Sequence, residues 1–385
     1  MERVLARKPL TEAERAEPPC TVCVTGAAGY VASTIVCRLL AAGHTVHATY
    51  RRVDDKNTLA ALKGCPDADR LKWFEADLMT EGSFDEALKG CKYLIHTAAP
   101  VQMNCPPKKA FTHSINPMVV GVANILQSVN RTPSIERVVM TSSIWSAMQG
   151  LHHQDQKHLL DERDFNLNIG TEMPYYTAKT LSEWEAWAIT AQQDRWRLVV
   201  ICPANILGPP LAACPGAESV ASAKKLLDGS VYPFVPPLDT PLVDVADIAT
   251  AHCLAMVLPG AKGRYIIWST TVLATELAAM LREQFPNHRV PFLRAPFWLA
   301  AAVFKATGML SYGWLKTTYG RRTLVSNEKS LRELKGLAPM IPLDRTLHDM
   351  YTTLIEMGLL PSKEKKKKKG KAVKAGTNGT EKKAS

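Results

Sequence analysis

Cys20-Thr21-Val22-Cys23-Val24-Thr25-Gly26-Ala27-Ala28-Gly29-Tyr30-Val31-Ala32 is the stretch that decides the fold. Its first six residues read as a short apolar strand, and two glycines follow at once. Beyond them, Ser33 to Ala42 places Ile35, Val36, Leu39 and Leu40 at the spacing of one helix face. Gly43 ends that helix, and Thr45 to Tyr50 reads as a second strand. A strand, a glycine turn, a helix and a second strand form the unit that holds a dinucleotide. The glycines let the backbone turn tightly and approach a pyrophosphate, which rests on amides at the helix N-terminus. The spacing is Gly-x-x-Gly-x-x-Ala, not Gly-x-Gly-x-x-Gly. Candidate contacts are Gly26, Ala28, Gly29, Tyr30 and Val31.

The end of the second strand speaks to which dinucleotide. An acidic residue there would accept the ribose 2′-hydroxyl of NAD, whereas an arginine accommodates the 2′-phosphate of NADP. Tyr50 is followed by Arg51 and Arg52, with Lys56 close behind. A planar guanidinium matches phosphate geometry, so NADP(H) is favoured. Asp54 and Asp55 follow slightly late and keep NAD(H) as the alternative.

A chemical device lies further along. Tyr175 and Lys179 stand four apart in Pro174-Tyr175-Tyr176-Thr177-Ala178-Lys179, and on a helix such positions share a face. The ammonium of Lys179 should sit beside the Tyr175 phenol and lower its pKa from about 10. Ser143, in Val139-Met140-Thr141-Ser142-Ser143, could hold a substrate oxygen against that phenol. Between these pieces, Leu71 to Glu75, Tyr93 to Thr97, Arg137 to Thr141 and Arg197 to Ile201 read as further strands, with helical patterns between them. The alternation implies an α/β fold, a doubly wound parallel sheet of Rossmann type with helices on both faces.

The chain resembles the extended short-chain dehydrogenases/reductases, in the branch of dihydroflavonol reductases, cinnamoyl-CoA reductases and related 3β-hydroxysteroid dehydrogenases. Ordered stretches carry the resemblance: Val24 to Ala32, Ala48 to Arg51, Glu75 to Leu78, Gly82 to Ala87, His96 to Pro100, Thr141 to Ser143, Tyr175 to Glu183, Pro203 to Pro209, Val243 to Ala249 and Gly263 to Ile266. It covers residues 20 to 270 and thins out afterwards. It implies that Ser143, Tyr175 and Lys179 are catalytic, Ser143 being the second serine of the family's Thr-Ser-Ser. Lys179 would also bond the nicotinamide ribose. Asp77 and Leu78 would flank the adenine, Thr97 and Ala98 would approach the nicotinamide ribose, and Pro203 and Asn205 would lie near the carboxamide. A smaller C-terminal lobe would bind substrate. Two departures matter. Met148 stands where dihydroflavonol reductases have a substrate-reading asparagine, and Glu172-Met173-Pro174 replaces the Asn-Trp-Tyr signature of cinnamoyl-CoA reductases. Trp145 and Met148 fit an apolar pocket and a packed core equally well.

The domains expected are an N-terminal extension (1–19), the dinucleotide-binding domain (20–202), a substrate-binding lobe (203–361, with 240–256 returning to the first domain) and a tail (362–385). From Pro361 onward there are ten lysines and two glutamates, so most of the chain's formal net charge of +11 sits there. Such a run is expected to be disordered and solvated, with weak contact to anionic surfaces as its functional reading. No specific nucleic acid is an expected partner; the partner is a small carbonyl or alcohol substrate. The nine cysteines are odd in number and scattered, which fits buried thiols in a reducing compartment. Cys20 and Cys23 have no second pair to complete a metal site, so no metal is expected. Residues 1–19 mix both charges without an apolar core, unlike a secretory signal. Pro296 to Phe304 is apolar but interrupted by Lys305, short of the ~20 residues that cross a bilayer. A helix of the lobe is the first reading and an interfacial membrane helix the second. The cytoplasm is the expected location, with the surface of the endoplasmic reticulum as alternative. Three functional classes follow: an NADP-dependent carbonyl reductase or alcohol dehydrogenase, with a 3β-hydroxysteroid-type dehydrogenase at a membrane surface as its variant, a nucleotide-sugar epimerase or dehydratase, and a nucleotide-sensing regulator. The intact Ser143, Tyr175 and Lys179 count against the last.

Overall fold

Val22, Cys23 and Val24 are fully buried, which is why the first strand carries no polar alternation. In the computed structural model, which describes residues 2–51, 56–65, 67–100, 105–148, 158–214, 217–307 and 312–362, this strand is the centre of a sheet. The strands used below are β1 (Thr21–Thr25), β2 (Thr45–Tyr50), β3 (Leu71–Glu75), β4 (Tyr93–His96), β5 (Arg137–Thr141), β6 (Arg197–Pro203), β7 (Asn205–Leu207), β8 (Asp239–Asp244), β9 (Gly263–Ile267) and β10 (Thr270–Leu273). Seven form one sheet in the order β9-β6-β5-β4-β1-β2-β3. All six pairings are parallel. The order reverses at β1, where Val22 pairs with Val46 of β2 on one side and Tyr93 of β4 on the other. At such a reversal the helices leave on opposite faces, and a crevice opens beyond the strand ends.

Helix α3 (Tyr30–Ala41) begins at Tyr30, three residues ahead of the sequence expectation, because Gly29 already acts as its N-cap. Helices α4 (Asn116–Arg131), α5 (Pro174–Thr190) and α6 (Val245–Val257) complete the layers used here, with α1 (Glu2–Arg7) and α2 (Glu12–Ala16) ahead of them. Two results change the expected domain limits. Gly263–Ile267, expected in the smaller lobe, is β9 and pairs with β6 as the seventh strand. Asp239–Asp244, placed largely in the first domain, instead joins β7 and β10 in a separate three-stranded sheet, and only α6 returns to the main one.

The N-terminal extension is a built strap. Arg7 donates to both carboxylate oxygens of Asp244 at 3.0 and 2.5 Å and to Asp349 at 2.7 Å. Lys8 lies 2.8 Å from Asp247, and Arg38 of α3 donates to both oxygens of Glu14 at 2.9 and 2.7 Å. Asp244 also N-caps α6 by accepting from the Ala246 amide at 2.8 Å. One carboxylate thus ties the strap, α6 and the C-terminal helix α9 (Leu343–Glu356), through Thr346, together. The Lys-rich tail from Lys363, and Arg52, Asp54 and Asp55, lie outside the described residues.

Candidate active site

Gly26 makes the turn at the end of β1 with φ of +63°, a conformation in which a Cβ meets the backbone. A Cβ there would also stand 3.1 Å from the Ala98 Cβ and 3.2 Å from its Cα. Gly26 therefore permits both the turn and the close approach of the β4 end. Thr25 joins the two ends: its hydroxyl oxygen accepts from the Thr97 and Ala98 amides, both at 3.1 Å, and lies 2.8 Å from His96 Nδ1. Burial, then the charge of Lys179, drives the His96 pKa down to about 3, so the ring is neutral and can accept the Thr25 proton. The Gly26 amide is held by Thr49 Oγ1 at 3.2 Å and the Ala27 amide by the Thr49 carbonyl at 2.9 Å. This cradle of small residues at a helix N-terminus fits a pyrophosphate, and Gly26, Ala28, Gly29 and Val31 all fall in the turn or the first residues of α3. Tyr30 differs. Its ring is buried among Leu207, Leu242 and Val245, and its hydroxyl donates to the Gly208 carbonyl at 2.7 Å, so its side chain faces away from the turn.

Around the cradle, Arg51 is exposed at the end of β2. Asp77 accepts from the Met79 amide at 2.9 Å, while Ser83 fixes its backbone at 3.2 and 2.7 Å. Leu78 packs against Gly121 of α4, where a Cβ would stand only 3.1 Å from it. Pro203 is buried at the end of β6, and Asn205 uses its amide to hold the Pro241 carbonyl at 3.0 Å, linking β7 to β8.

The structure brings Ser143, Tyr175 and Lys179 together beyond the end of β5. Ser143 lies close enough to the Tyr175 phenol to favour its ionised form. The Lys179 ammonium donates to the Thr141 carbonyl at 3.2 Å, and the Thr141 hydroxyl lies 2.7 Å from Nε2 of His252, whose Nδ1 lies 2.8 Å from the Ile248 carbonyl. That second contact puts the ring proton on Nδ1 and makes Nε2 the acceptor. One expectation is corrected here. Lys179 does not lower the Tyr175 pKa; burial dominates and pushes it up to about 12, with Ser143 working the other way. Burial also brings Lys179 down to about 8. Near neutral pH the phenol is therefore a proton donor and Lys179 a cation close to its titration point.

Sequence reasoning missed what lies behind Ser143. Glu183, one further turn along α5, is fully buried and accepts from Ser142 at 2.6 Å and Ser146 at 2.8 Å. Arg264 of β9 brings Nε to 2.6 Å from Glu183 and donates to Ser146 at 2.9 Å. Ser146 in turn lies 2.8 Å from the Ser143 carbonyl. This network ties the turn bearing Ser143 to the helix bearing Tyr175 and Lys179. Its signal was the four-residue step from Lys179 to Glu183, already present in the motif. Trp145 and Met148 resolve as core: both are buried, and Trp145 stacks on Tyr176 with ring centroids 4.6 Å apart. Cys20 and Cys23 are free thiols, and no cluster of metal-ligating side chains occurs among the described residues.

The sequence model of the NAD dependent epimerase/dehydratase family matches residues 22–268. The chain belongs to that family. The match runs from Val22 of β1 to just past β9 and so contains all of the seven-stranded sheet except Thr21. Among curated relatives, the putative anthocyanidin reductase of Ginkgo biloba is 35% identical over 287 residues, 70% of this chain and 82% of its own. The dihydroflavonol 4-reductase of Gerbera hybrida is 33% identical over 71% of this chain and 75% of its own. Cinnamoyl-CoA reductase CAD2 of Medicago truncatula is 34% identical over 70% and 82%. Among solved structures, Gre2 of Candida albicans, in complex with NADPH, has a TM-score of 0.72 at 24% identity, over 88% of this chain and 99% of that one. Vestitone reductase from alfalfa gives 0.68 at 23%, over 89% and 100%. At such identity the likeness is one of fold. The family member described here is an NAD(P)-dependent oxidoreductase of the extended short-chain type.

Proposed function

We propose that the protein is an NADP(H)-dependent reductase of a ketone or aldehyde, with Tyr175 as proton donor. The observation that carries this reading is the convergence of Ser143, a Tyr175 phenol kept protonated by burial, and Lys179 beyond the carboxyl end of β5 in a parallel sheet. When bound, the reduced cofactor supplies the hydride. Tyr175 gives its proton to the carbonyl oxygen as negative charge develops there, and Ser143 donates a second hydrogen bond to the same oxygen. Lys179 offers a positive charge near that oxygen and hydrogen bonds to the nicotinamide ribose. In reverse, the tyrosinate would take a proton from an alcohol.

Gly26, Gly29 and the α3 amides would hold the pyrophosphate, Thr97 and Ala98 the ribose side, and Asp77 and Leu78 the adenine. Arg51 and Arg52 support NADP(H), as do the Gre2 structures solved with NADPH. The proposal stops at the carbonyl class, because Met148 is buried and has no hydrogen bonds to match a substrate-reading asparagine. The test is oxidation of NADPH and NADH by purified protein across ketones, aldehydes, sterols and flavonoids. Turnover with NADPH ahead of NADH supports the reading. A protein that purifies with tightly held NAD and oxidises neither cofactor overturns it in favour of epimerisation.

A further inference from the structure

From Gln284 to Asn327 the chain carries six basic residues and not one Asp or Glu. The six are Arg289, Arg294, Lys305, Lys316, Arg321 and Arg322, and all are exposed. Among the described residues only Arg322 has an acidic partner, Glu276. The same region exposes large apolar side chains: Trp298 at 70%, Tyr312 at 65%, Phe292 at 52% and Val303 at 46%. Contacts join one end of α7 to the residues beside it. Arg294 lies over the Tyr319 ring, Tyr319 packs on Phe297 at 5.3 Å, and Phe297 packs on Tyr312 at 5.8 Å.

Two helices frame it, α7 (Phe297–Thr307) and α8 (Tyr312–Thr318). On α7 the inward stripe is Ala300 and Phe304, buried against Leu315. A surface helix normally turns polar residues outward. Here the outward stripe is Trp298, Ala302, Val303 and Ala306, with Lys305 beside them, so α7 is apolar on the face that meets solvent as well. Apolar surface of this kind, on a segment whose charges are all of one sign, marks a place of contact.

We propose that the outer face of α7, with Tyr312 and the cations of the same segment, docks on bilayers containing anionic phospholipid. Tryptophan and tyrosine favour the headgroup boundary, where an apolar ring and a polar edge are both satisfied. Lysine and arginine lay their stems along apolar surface and set their charges at the phosphates. No helix is long and apolar enough to cross a membrane among the described residues, so α7 lies in the plane of the surface. A second copy of the chain is disfavoured as the occupant, because it would set like charges against one another.

The test is co-sedimentation of the full chain with phosphatidylcholine vesicles, with and without phosphatidylserine. The full chain should sediment with the anionic vesicles and much less with the neutral ones. The double variant Trp298→Ser, Tyr312→Ser should lose roughly tenfold or more of that affinity while keeping its melting temperature, since both rings are largely exposed. A chain truncated after Ser362 should still bind. Three results would each overturn the proposal: no binding by the full chain, binding that survives the double variant but vanishes with the tail, or a wild-type dimer that the double variant converts to monomer.

Discussion

The two halves of the molecule hold their side chains by different means. Around the dinucleotide turn, positions are set by backbone: Gly26 by its φ, the Ala27 amide by Thr49, the Thr97 and Ala98 amides by Thr25, all within the ends of β1, β2 and β4. In the lobe beyond β6, positions are set by long-range side-chain pairs, of which Arg7 with Asp244 is the clearest. The difference shows where chemistry is dictated locally and where it is assembled. A backbone cradle needs particular residue types at fixed spacing; a lobe needs only complementary charge and shape.

Breaking the assembled part should cost most. Arg7→Ala removes one partner of a buried ion pair and leaves Asp244 charged at the head of α6, which costs about 3–5 kcal/mol of stability. Denaturant titration reads it, and a loss below about 1 kcal/mol would mean the strap merely rests on the surface. Gly26→Val attacks the local part. A branched side chain at positive φ, meeting Ala98, costs on the order of 1–3 kcal/mol, which should weaken NADPH binding roughly five- to a hundredfold. Unchanged affinity would mean the turn is not the pyrophosphate site. A smaller effect belongs to Ser146→Ala, which removes one donor to Glu183 and should cost about 0.5–1.5 kcal/mol of stability. Turnover should fall more than cofactor affinity if the network positions Ser143; equal falls would make it scaffold alone.

The smallest effect expected is a pH limb. Burial holds Lys179 near 8, so its charge is lost as pH rises through that value, and reduction should decline there in wild type but not in Lys179→Arg. The stability effect has the opposite sign. The unfolded chain keeps that proton up to about 10.5, so the buried charge opposes folding below about 8 and the penalty eases between the two values. A limb at the same pH in the arginine variant would assign it to another group.

Much of the site could be read from the sequence because its residues sit at short, fixed intervals. Gly26 and Gly29 are three apart, Tyr175 and Lys179 four, and a strand or helix on either side supplies the rest. The Tyr175 pKa could not be read, since proximity to Lys179 is visible in spacing but burial is not. The strap was equally hidden: Arg7 and Asp244 are separated by 237 positions. β9 escaped because Gly263–Ile267 has the composition of any buried strand, and its place beside β6 is decided by which sheet edge is open. Trp145 and Met148 suited both a pocket and a core by residue type; the stacking of Trp145 on Tyr176 decides for the core.

In the proposed reaction Tyr175 gives up the proton while the cradle holds the cofactor independently of it. Tyr175→Phe tests both at once, by titrating NADPH against the variant and measuring reduction of a substrate that the wild type accepts. The account predicts NADPH affinity close to wild type and a rate lower by about 10²–10⁴, the usual contribution of a positioned general acid. Reduction at near wild-type rate would contradict it, because no phenolic proton remains to be given.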